Sequence, residues 1–427
     1  MNVWPAALVA GAGVVGLCCA LSLQRAGMAV TLVDRAEPGE ACSLGNSGGF
    51  GVGLVAPHAM PGIGMRIPRL WLHPDEPLSI RLRHLRNIVP WGRRFLAASR
   101  PDAVRRITGH RHAMLSRALP AWDDLIAAAG AEDLIRSAGM LFVFGTEDGS
   151  QRLSSMLALA RSHGVRVDTI PPEEARRLNP ALSDRVKAAL FFPDNRHTLS
   201  PLALSRRLVA RFIADGGLIK RMAVRSVGPG ARLQLDGGEA LRADAVVLAC
   251  GAWTPRLLAP LNVLLPMVAE RGYHAMLPLP EGFAVPTTLS DRNVVLTPMQ
   301  DGLRITGVSE LGGPDDPPRW KHAHRLPGLA APFLREPLGK TGAIWSGPRP
   351  STPDSLPAVG PVPGQPGLFV AAGHGQAGLA MAAITGRLIA DLVLGRAPAL
   401  DPAPYRIERF AARSAAAGQG DSAWARA

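Results

Sequence analysis

Short apolar runs and a glycine-rich turn alternate at the start of the chain. Residues 6–10 form an apolar run of strand length, and residues 11–16 read GAGVVG. Residues 17–26 are apolar over a helical length, and a second strand-length run at 29–33 leads into Asp34. The pattern predicts a buried strand, a glycine turn, a helix, a second strand and an acid at its end.

The same region also fits a membrane helix on length alone. Residues 3–24 carry no charge, and such a run is long enough to cross a bilayer. It lacks the basic first region of a signal peptide. Because glycines divide the run into a strand-length piece and a helix-length piece, we interpret it as the start of a nucleotide-binding unit.

The glycine spacing G-x-G-x-x-G gives this unit its chemistry. Gly11 permits the tight turn, Gly13 lets a pyrophosphate approach the backbone, and Gly16 lets the helix pack on the strand. The helix N-terminus offers free N–H groups to the phosphates. Asp34 can accept hydrogen bonds from ribose hydroxyls. The motif predicts a bound dinucleotide without distinguishing FAD from NAD.

Further elements follow along the rest of the chain. Predicted helices lie within 78–130 and at 150–164 and 201–216, and another short helix is predicted to begin at 171–174. Predicted strands lie at 139–144, 218–227, 231–235, 244–249, 272–277, 294–298, 303–310 and 368–372. The loop at 37–65 is rich in Gly and Ser, and the tail at 411–427 is predicted to be disordered.

A second glycine-rich turn follows the strand predicted at 368–372. Residues 373–378 read GHGQAG and lead into a helix predicted to end near residue 394. In a flavin protein, the positive end of this helix can face the pyrimidine edge of the flavin and stabilise its reduced, anionic form. A plain strand-to-helix connection is the alternative that spacing alone leaves open.

Composition and charge narrow the class of protein. The 427 residues carry a net charge of +13 and only four cysteines, without a C-x-x-C pair, which excludes a disulfide scaffold and a zinc ribbon. The length predicts two or three domains. Arginines cluster between 81 and 106, and a solvated basic surface is favoured over contact with a membrane surface or with nucleic acid.

These motifs together resemble a known family, the FAD-dependent amine and amino-acid oxidoreductases. Its members include D-amino-acid oxidase, glycine and sarcosine oxidases, and bacterial D-amino-acid dehydrogenase. Beside the first glycine turn, the resemblance rests on segments spread over residues 6–410. They are SLGNSGG at 43–49, ACGAW at 249–253, RGY at 271–273, WSGPRPSTPD at 345–354 and the second glycine turn. The dehydrogenase branch is the nearest match.

The resemblance implies an α/β fold with two domains. A Rossmann-like FAD-binding domain with a parallel sheet is expected from 1–60, 185–260 and 340–410. An α+β substrate domain with an antiparallel sheet is expected from 61–184 and 261–339. FAD is expected to be non-covalent because no cysteine follows Cys250. The expected cofactor-binding residues are Gly11, Gly13, Val14, Val15, Gly16, Asp34, Arg35, Ser43, Asn46, Ser47, Gly48, Val224, Ala249, Gly251, Trp253, Gly373, His374, Gly375, Gln376, Ala377 and Gly378.

The resemblance also implies a reaction and its residues. A hydride passes from Cα of a D-amino acid, such as a D-proline or hydroxyproline type, to flavin N5, and the electrons pass to a quinone or another carrier. Arg349 is expected to hold the substrate carboxylate, because a guanidinium offers two parallel donors. Tyr273, His58 and His374 are further candidates, and no metal is expected. The location expected is cytoplasmic, compatible with peripheral contact at the inner face of the membrane.

Three alternatives remain open at this point. The first is an oxygen-using glycine or sarcosine oxidase in the same fold. The second is a flavoprotein that modifies an amine carried on RNA, which the positive charge suggests. The third is a flavin-binding subunit without turnover.

Overall fold

Two large sheets organise the chain. The computed structural model describes residues 5–65, 78–146 and 149–416. In chain order the strands are β1 (Ala6–Ala10), β2 (Ala29–Asp34), β3 (Gly49–Phe50), β4 (Leu78–Ile80), β5 (Ile135–Arg136), β6 (Met140–Phe144), β7 (Asp168–Ile170), β8 (Ala188–Phe192), β9 (Arg196–Thr198), β10 (Leu218–Arg221), β11 (Val224–Gly228), β12 (Arg232–Leu235), β13 (Ala240–Arg242), β14 (Ala245–Leu248), β15 (Val268–Leu277), β16 (Thr287–Leu289), β17 (Val294–Met299), β18 (Gly302–Gly312), β19 (Ile344–Ser351), β20 (Ala358–Pro361) and β21 (Leu368–Ala372).

Ten α-helices of the described ranges pack around these sheets. They are α1 (Val14–Arg25), α2 (Leu85–Ala98), α3 (Pro101–Leu115), α4 (Ala118–Ala129), α5 (Gly149–Arg161), α6 (Pro172–Leu178), α7 (Pro201–Ala214), α8 (Thr254–Leu258), α9 (Lys321–Ala330) and α10 (Gly378–Val393). Short 3₁₀ segments connect several of them, including Cys42–Gly45.

The first sheet has six strands in the order β10-β2-β1-β14-β21-β20. All neighbouring pairs are parallel except β20 with β21. The carboxyl ends of parallel strands meet at one edge, which is where ligands bind in open sheets of this type. Both glycine turns start at this edge, since one follows β1 and the other follows β21.

The second sheet has nine strands and is mostly antiparallel. Its order is β19-β15-β18-β17-β16-β6-β8-β7, with β4 paired to β18. One face packs against α9 around a core that includes Tyr273 and Leu326. The sequence-based expectation of an α/β fold that combines a parallel dinucleotide-binding sheet with an antiparallel sheet is confirmed.

Most predicted elements are present, but the sequence missed several strands. Residues 78–80 were expected to be helical and instead form β4, where Leu78 pairs with Ser309. Three residues are too few for a periodic signal to separate helix from strand. The sequence analysis overlooked β8, although it is an apolar run of strand length. The strands β3, β5, β7, β9, β13, β16, β19 and β20 were not predicted, because each is short or interrupted by Gly and Pro. A 3₁₀ segment at Ile407–Ala416 replaces the first six residues of the predicted disordered tail, and 417–427 lie outside the described residues.

The expected domain segments distribute unevenly between the two sheets. All strands of the six-stranded sheet come from the expected FAD-binding segments. However, β8 and β19 also lie in those segments and belong to the large sheet. Helix α4, from an expected substrate segment, packs in the same core as α1 and α10 through Trp122.

One apolar helix of the described chain is long enough to span a bilayer. It covers Gly375–Val393, and 61% of it is buried inside the protein. It packs on α1, and Trp122 of α4 donates a hydrogen bond to its Leu379 carbonyl oxygen at 2.9 Å. These contacts make it the central core helix. The apolar start of the chain forms β1 and α1, as predicted.

Substitution at Gly386 tests the close contact of α1 with α10. A Cβ atom at Gly386 would lie 2.4 Å from the Cys18 carbonyl oxygen, so Gly386→Ala forces two backbones apart. We expect a loss of about 1–3 kcal/mol in the free energy of unfolding, the usual cost of overpacking. Gly328→Ala is the control, because Gly328 lies in α9 with nothing within 4 Å of its Cβ position. Urea titration of both variants measures the effect, and equal midpoints would contradict this packing.

Candidate active site

A large cavity lies between the two sheets. Its volume is about 1530 Å³. Its lining includes both glycine turns of the six-stranded sheet and one face of the large sheet. The cavity is therefore bounded by the strand edge where the sequence places a dinucleotide, and by side chains of β15, β18 and β19.

The first glycine turn is packed so closely that side chains are excluded. Gly11 has φ +105°, and a Cβ atom there would lie 2.3 Å from the Ala249 carbonyl oxygen. Its N–H donates to the Val33 carbonyl oxygen at 2.8 Å. A Cβ atom at Gly16 would lie 1.8 Å from the Gly11 carbonyl oxygen. Gly16 therefore supports close packing of helix on turn, the role that the spacing predicts.

The N-terminus of α1 opens into the cavity beside an ordered acid. Gly13 is its N-cap residue, and the Val14 N–H donates to the Ser43 hydroxyl at 2.9 Å. The Asp34 carboxylate accepts hydrogen bonds from the Ala12 N–H at 2.6 Å and the Ala36 N–H at 2.9 Å. These bonds fix the carboxylate at the strand end, and each oxygen keeps a further acceptor site.

Aromatic and charged side chains line the cavity near Asp34. The Arg35 guanidinium lies 4.6 Å from the centre of the Trp253 ring. The Trp253 indole N–H donates to Asp315 at 2.7 Å, and Asp315 also pairs with Arg256. Arg35 and Trp253, both predicted cofactor residues, thus form one wall, and Val224 lines the same cavity.

At the second glycine turn, the backbone faces the cavity and the His374 imidazole is buried. Gly373 has φ +84°, and a Cβ atom there would lie 2.6 Å from Thr352. The imidazole Nε2 of His374 lies 2.9 Å from the Thr385 hydroxyl in α10. Burial lowers the pKa of His374 to about 3. The imidazole is therefore neutral and engaged inside the helix, so the prediction that it acts on substrate is not supported.

An ion pair between a buried glutamate and a partly exposed arginine forms the inner wall of the cavity. Glu270 on β15 and Arg349 on β19 are direct partners in the antiparallel register, and Arg349 Nη1 lies 3.3 Å from Glu270 Oε1. Burial raises the pKa of Glu270, but Arg349, His58 and hydrogen bonds from two serines outweigh it and lower the pKa to about 2. Glu270 is therefore ionised at any ordinary pH.

Glycines in this wall let its large side chains lie flat against the backbone. A Cβ atom at Gly272 would lie 2.2 Å from Arg349 Nη2 and 2.3 Å from Cζ, so the guanidinium rests on the glycine backbone. The Trp345 indole rests in the same way on Gly45 and Gly347, where Cβ atoms would lie 1.9 and 2.3 Å from its ring. These glycines fix where Arg349 and Trp345 can lie.

The structure places Tyr273, predicted to contact substrate, outside the cavity lining. Tyr273 is fully buried in the core beneath the opposite face of the large sheet. Its hydroxyl donates to Glu310 at 2.8 Å and accepts from the Arg319 N–H at 3.0 Å. Neighbouring strand residues point to opposite faces, so Gly272 and Tyr273 cannot both face the cavity.

His58 does line the cavity. Its backbone N–H donates to the Ser355 hydroxyl at 3.1 Å, which fixes the loop. Desolvation in the cavity lowers the pKa of His58, although Glu270 opposes the shift. The neutral imidazole therefore shares this wall with the ion pair of Glu270 and Arg349.

Most of the other predicted residues lie together in the cavity lining. The predicted cofactor residues found there are Gly11, Gly13, Val14, Val15, Asp34, Arg35, Ser43, Asn46, Ser47, Val224, Ala249, Gly251, Trp253, His374, Gly375, Gln376 and Gly378. Gly16, Gly48, Gly373 and Ala377 lie behind this lining and shape the turns.

Sequence reasoning missed Glu270, Ser309 and Ser351. The signal available for Glu270 was a charged residue in a mostly apolar strand, because a charge buried there needs a partner. The serines carry no such signal, because their role depends on strand pairing.

These features fit FAD. Two helix N-termini and two glycine turns at one sheet edge match a pyrophosphate and an electron-rich ring at separate points of an elongated ligand. The residues of 11–16, Ser43 and Asp34 would hold the nucleotide, and 373–378 would face the flavin. Burial raises the pKa of Cys42 to about 11 and that of Cys250 to about 12, so both cavity thiols stay protonated. Protonated thiols are poor nucleophiles, consistent with non-covalent FAD.

Comparison with known proteins agrees with this site. The family model described as FAD dependent oxidoreductase, DAO, matches residues 6–392. A D-amino-acid oxidase of Bradyrhizobium diazoefficiens is 32% identical over 418 residues, which is 94% of this chain and 98% of that protein. A D-amino acid dehydrogenase of Xanthobacter autotrophicus is 32% identical over 424 residues, 95% of this chain and 99% of that protein.

Solved structures share the fold. Glycine oxidase from Geobacillus kaustophilus superposes with a TM-score of 0.74 at 23% identity, over 95% of this chain and 99% of that one. L-proline dehydrogenase from P. horikoshii superposes with a TM-score of 0.73 at 18% identity, over 96% of this chain and 99% of that one. With a family match over nine-tenths of its length and a cavity that fits the cofactor, the chain belongs to the DAO family of FAD-dependent oxidoreductases.

Proposed function

We propose that this enzyme oxidises a D-amino acid at Cα. The observation that carries the proposal is the Arg349 guanidinium, held at the cavity wall with part of its donor edge open. FAD supplies the acceptor for the hydride. The protein holds the carboxylate, orients Cα–H and favours the neutral amine, so its work is positioning and electrostatics.

Arg349 has the geometry for a carboxylate. Gly272 supports one face of its guanidinium, and Glu270 fixes Nη1. Among the described residues, Nη1 is the only nitrogen of this group with a hydrogen-bond partner. Nε and Nη2 therefore remain as two parallel donors, the arrangement that carboxylates accept best.

We infer that His58 acts on the amine. The substrate amine must be neutral before hydride transfer, because its lone pair stabilises the developing cation at Cα. A neutral imidazole in the cavity can accept a hydrogen bond from that amine. The imine product then hydrolyses in water to a keto acid, or cyclises.

Stereochemistry and electron acceptor are inferred from the relatives. The two relatives described above are named for D-amino acids, and one of them is named a dehydrogenase. D-proline and hydroxyproline types fall in this class. We infer that a quinone or another carrier takes the electrons. The glycine oxidase fold makes an oxygen-using oxidase the competing possibility.

The surface around α2 supports the inference that the electron acceptor lies in a membrane. Leu85, Val89 and Leu96 are 40%, 47% and 42% exposed and also line the cavity mouth. Arg86 and Arg93 are exposed on the same helix. Exposed apolar side chains with arginines beside them suit a bilayer that contains anionic lipids. We infer peripheral binding at the cytoplasmic face of the membrane.

Gly272→Ala tests the placement of Arg349 without removing its charge. The new Cβ would displace the guanidinium, and a misplacement of about 1 Å can lower the rate of flavin reduction about 100-fold. The measurement is anaerobic bleaching of the flavin band with D- and L-amino acids, prolines, hydroxyprolines and sarcosine. Gly342→Ala is the control, because its Cβ meets only an ordinary contact at 3.5 Å.

The outcomes of that titration are distinct. Bleaching by D-amino acids that slows in Gly272→Ala and stays normal in Gly342→Ala is expected. Bleaching by L-amino acids or sarcosine alone would contradict the substrate class. Stoichiometric hydrogen peroxide on readmission of air would favour the oxidase.

Vesicle sedimentation tests the membrane surface. Wild-type protein should sediment with vesicles that contain anionic lipid and much less with zwitterionic ones, with binding weakened by salt. Val89→Asp should abolish sedimentation. Ile213→Asp is the control, because Ile213 is 54% exposed on α7 and lies outside the cavity lining. Equal binding by both variants would contradict the assignment of this surface.

A further inference from the structure

The cavity extends well beyond the residues expected to bind FAD. Its volume of about 1530 Å³ exceeds the ~300–1,000 Å³ of ordinary ligand sites, which leaves room for a second molecule beside the cofactor. Part of its lining comes from β6, β8, β16, β17 and α5, which contribute none of the expected cofactor residues. We call this part the side arm, and its main lining residues are Phe142, Met156, Leu159, Phe192, Thr288 and Val295.

Strand β18 connects Arg349 to the side arm. The Arg349 guanidinium rests on Gly272 of β15, and the β15–β18 pairing has a register shift at this point. The shift places Val308 and Ser309 opposite Gly272, as in a β-bulge. Both residues line the cavity. A substrate held by Arg349 therefore lies over β15 and faces β18.

A row of paired residues continues from β18 to the far end of the side arm. Thr306 of β18 pairs with Val295 of β17, and Val295 pairs with Thr288 of β16. Thr288 in turn pairs with Phe142 of β6. Directly opposite residues share one face of a sheet, and all four of these line the cavity. The row is thus a continuous floor across four strands.

The side arm is apolar. Among the described residues, β6, β8, β16, β17 and α5 contribute no charged side chain to the cavity lining. Arg304 lies two residues before Thr306 and so shares its face of β18. However, the Arg304 guanidinium donates to the carbonyl oxygens of Leu44 at 3.0 Å and Asn46 at 2.6 Å, and it lies outside the lining. A charged side chain that entered the arm would lose its hydration without gaining an ionic partner from these elements.

The spacing of the strands sets which side chains reach the arm. Neighbouring strands are about 4.8 Å apart, so Val295 on β17 lies about 10 Å from β15 across the sheet. The methyl group of alanine does not extend that far from a carboxylate held at Arg349. An aromatic or long aliphatic side chain does, and its burial there removes apolar surface from water.

We propose that the side arm binds the side chain of the substrate and selects D-amino acids whose side chain is large and apolar over those with a small or a charged one. This inference rests on the proposed function. Val295 and Phe142 on the floor and Met156 on α5 are its specificity-determining residues.

The first test ranks four substrates of the wild-type FAD-bound enzyme. They are D-phenylalanine, D-alanine, D-glutamate and D-lysine. The kcat/KM for D-phenylalanine should exceed that for D-alanine by about 10–100-fold, the gain from burying a phenyl group. D-Glutamate and D-lysine should also fall at least tenfold below D-phenylalanine. Equal or higher kcat/KM for D-alanine, or for either charged substrate, overturns the proposal without any variant.

The second test places a charge inside the side arm. Met156→Lys should lower kcat/KM for D-phenylalanine relative to D-glutamate by about tenfold or more, the size of one charged hydrogen bond. Ala158→Lys is the matched control, because Ala158 is exposed on the same helix and lies outside the cavity lining. Equal substrate ratios in the two variants would show that Met156 does not meet the side chain, which overturns the proposal.

Failure of the proposed function is distinguishable from failure of this inference. If D-amino acids bleach the flavin at rates that ignore the size and charge of the side chain, the selection by the side arm alone is wrong. If no D-amino acid bleaches a bound flavin, both are wrong.

Discussion

The buried Glu270 carboxylate lies opposite the partly exposed Arg349 guanidinium, and much of the site follows from keeping this pair together. Leaving one member of a buried pair without its partner costs about 3–5 kcal/mol. The wall supplies hydrogen-bond donors to both oxygens of the Glu270 carboxylate, from β18, β19 and the second glycine turn. Through Gln376, the same carboxylate connects the large sheet to the edge of the six-stranded sheet.

Close backbone packing is the second constraint. The first turn needs glycine because Gly11 and Gly16 meet carbonyl oxygens at distances that no Cβ atom tolerates. In the inner wall, glycines also allow side chains to pack closely on the backbone, since Gly272 supports the Arg349 guanidinium and Gly45 supports the Trp345 indole. Rigid positions follow from contact with backbone, which relaxes far less than a flexible side chain. Such rigidity suits a reaction that depends on orientation.

The sequence predicted best those features that depend on local spacing. The first glycine turn, its helix and Asp34 lie within thirty residues, so their mutual positions follow from the elements themselves. The motif around Arg349 was enough to predict that this residue lies at the cavity. The partner Glu270 was missed because the pairing joins strands 79 residues apart in sequence, and their register is not readable from composition. The hydrogen bonds of Tyr273 and His374 could not be predicted for a related reason: the sequence placed the backbone near the cavity but not the direction of the side chain.

We propose that Arg349, seated on Gly272 and fixed by Glu270, binds the substrate carboxylate. The most direct test is a crystal structure of the FAD-bound protein with a simple carboxylate that lacks the amine. We expect the two carboxylate oxygens to lie on Nε and Nη2 of Arg349, with Glu270 still bonded to Nη1. A carboxylate bound at Arg93 or Arg256 instead, or a guanidinium turned away from Gly272, would contradict it.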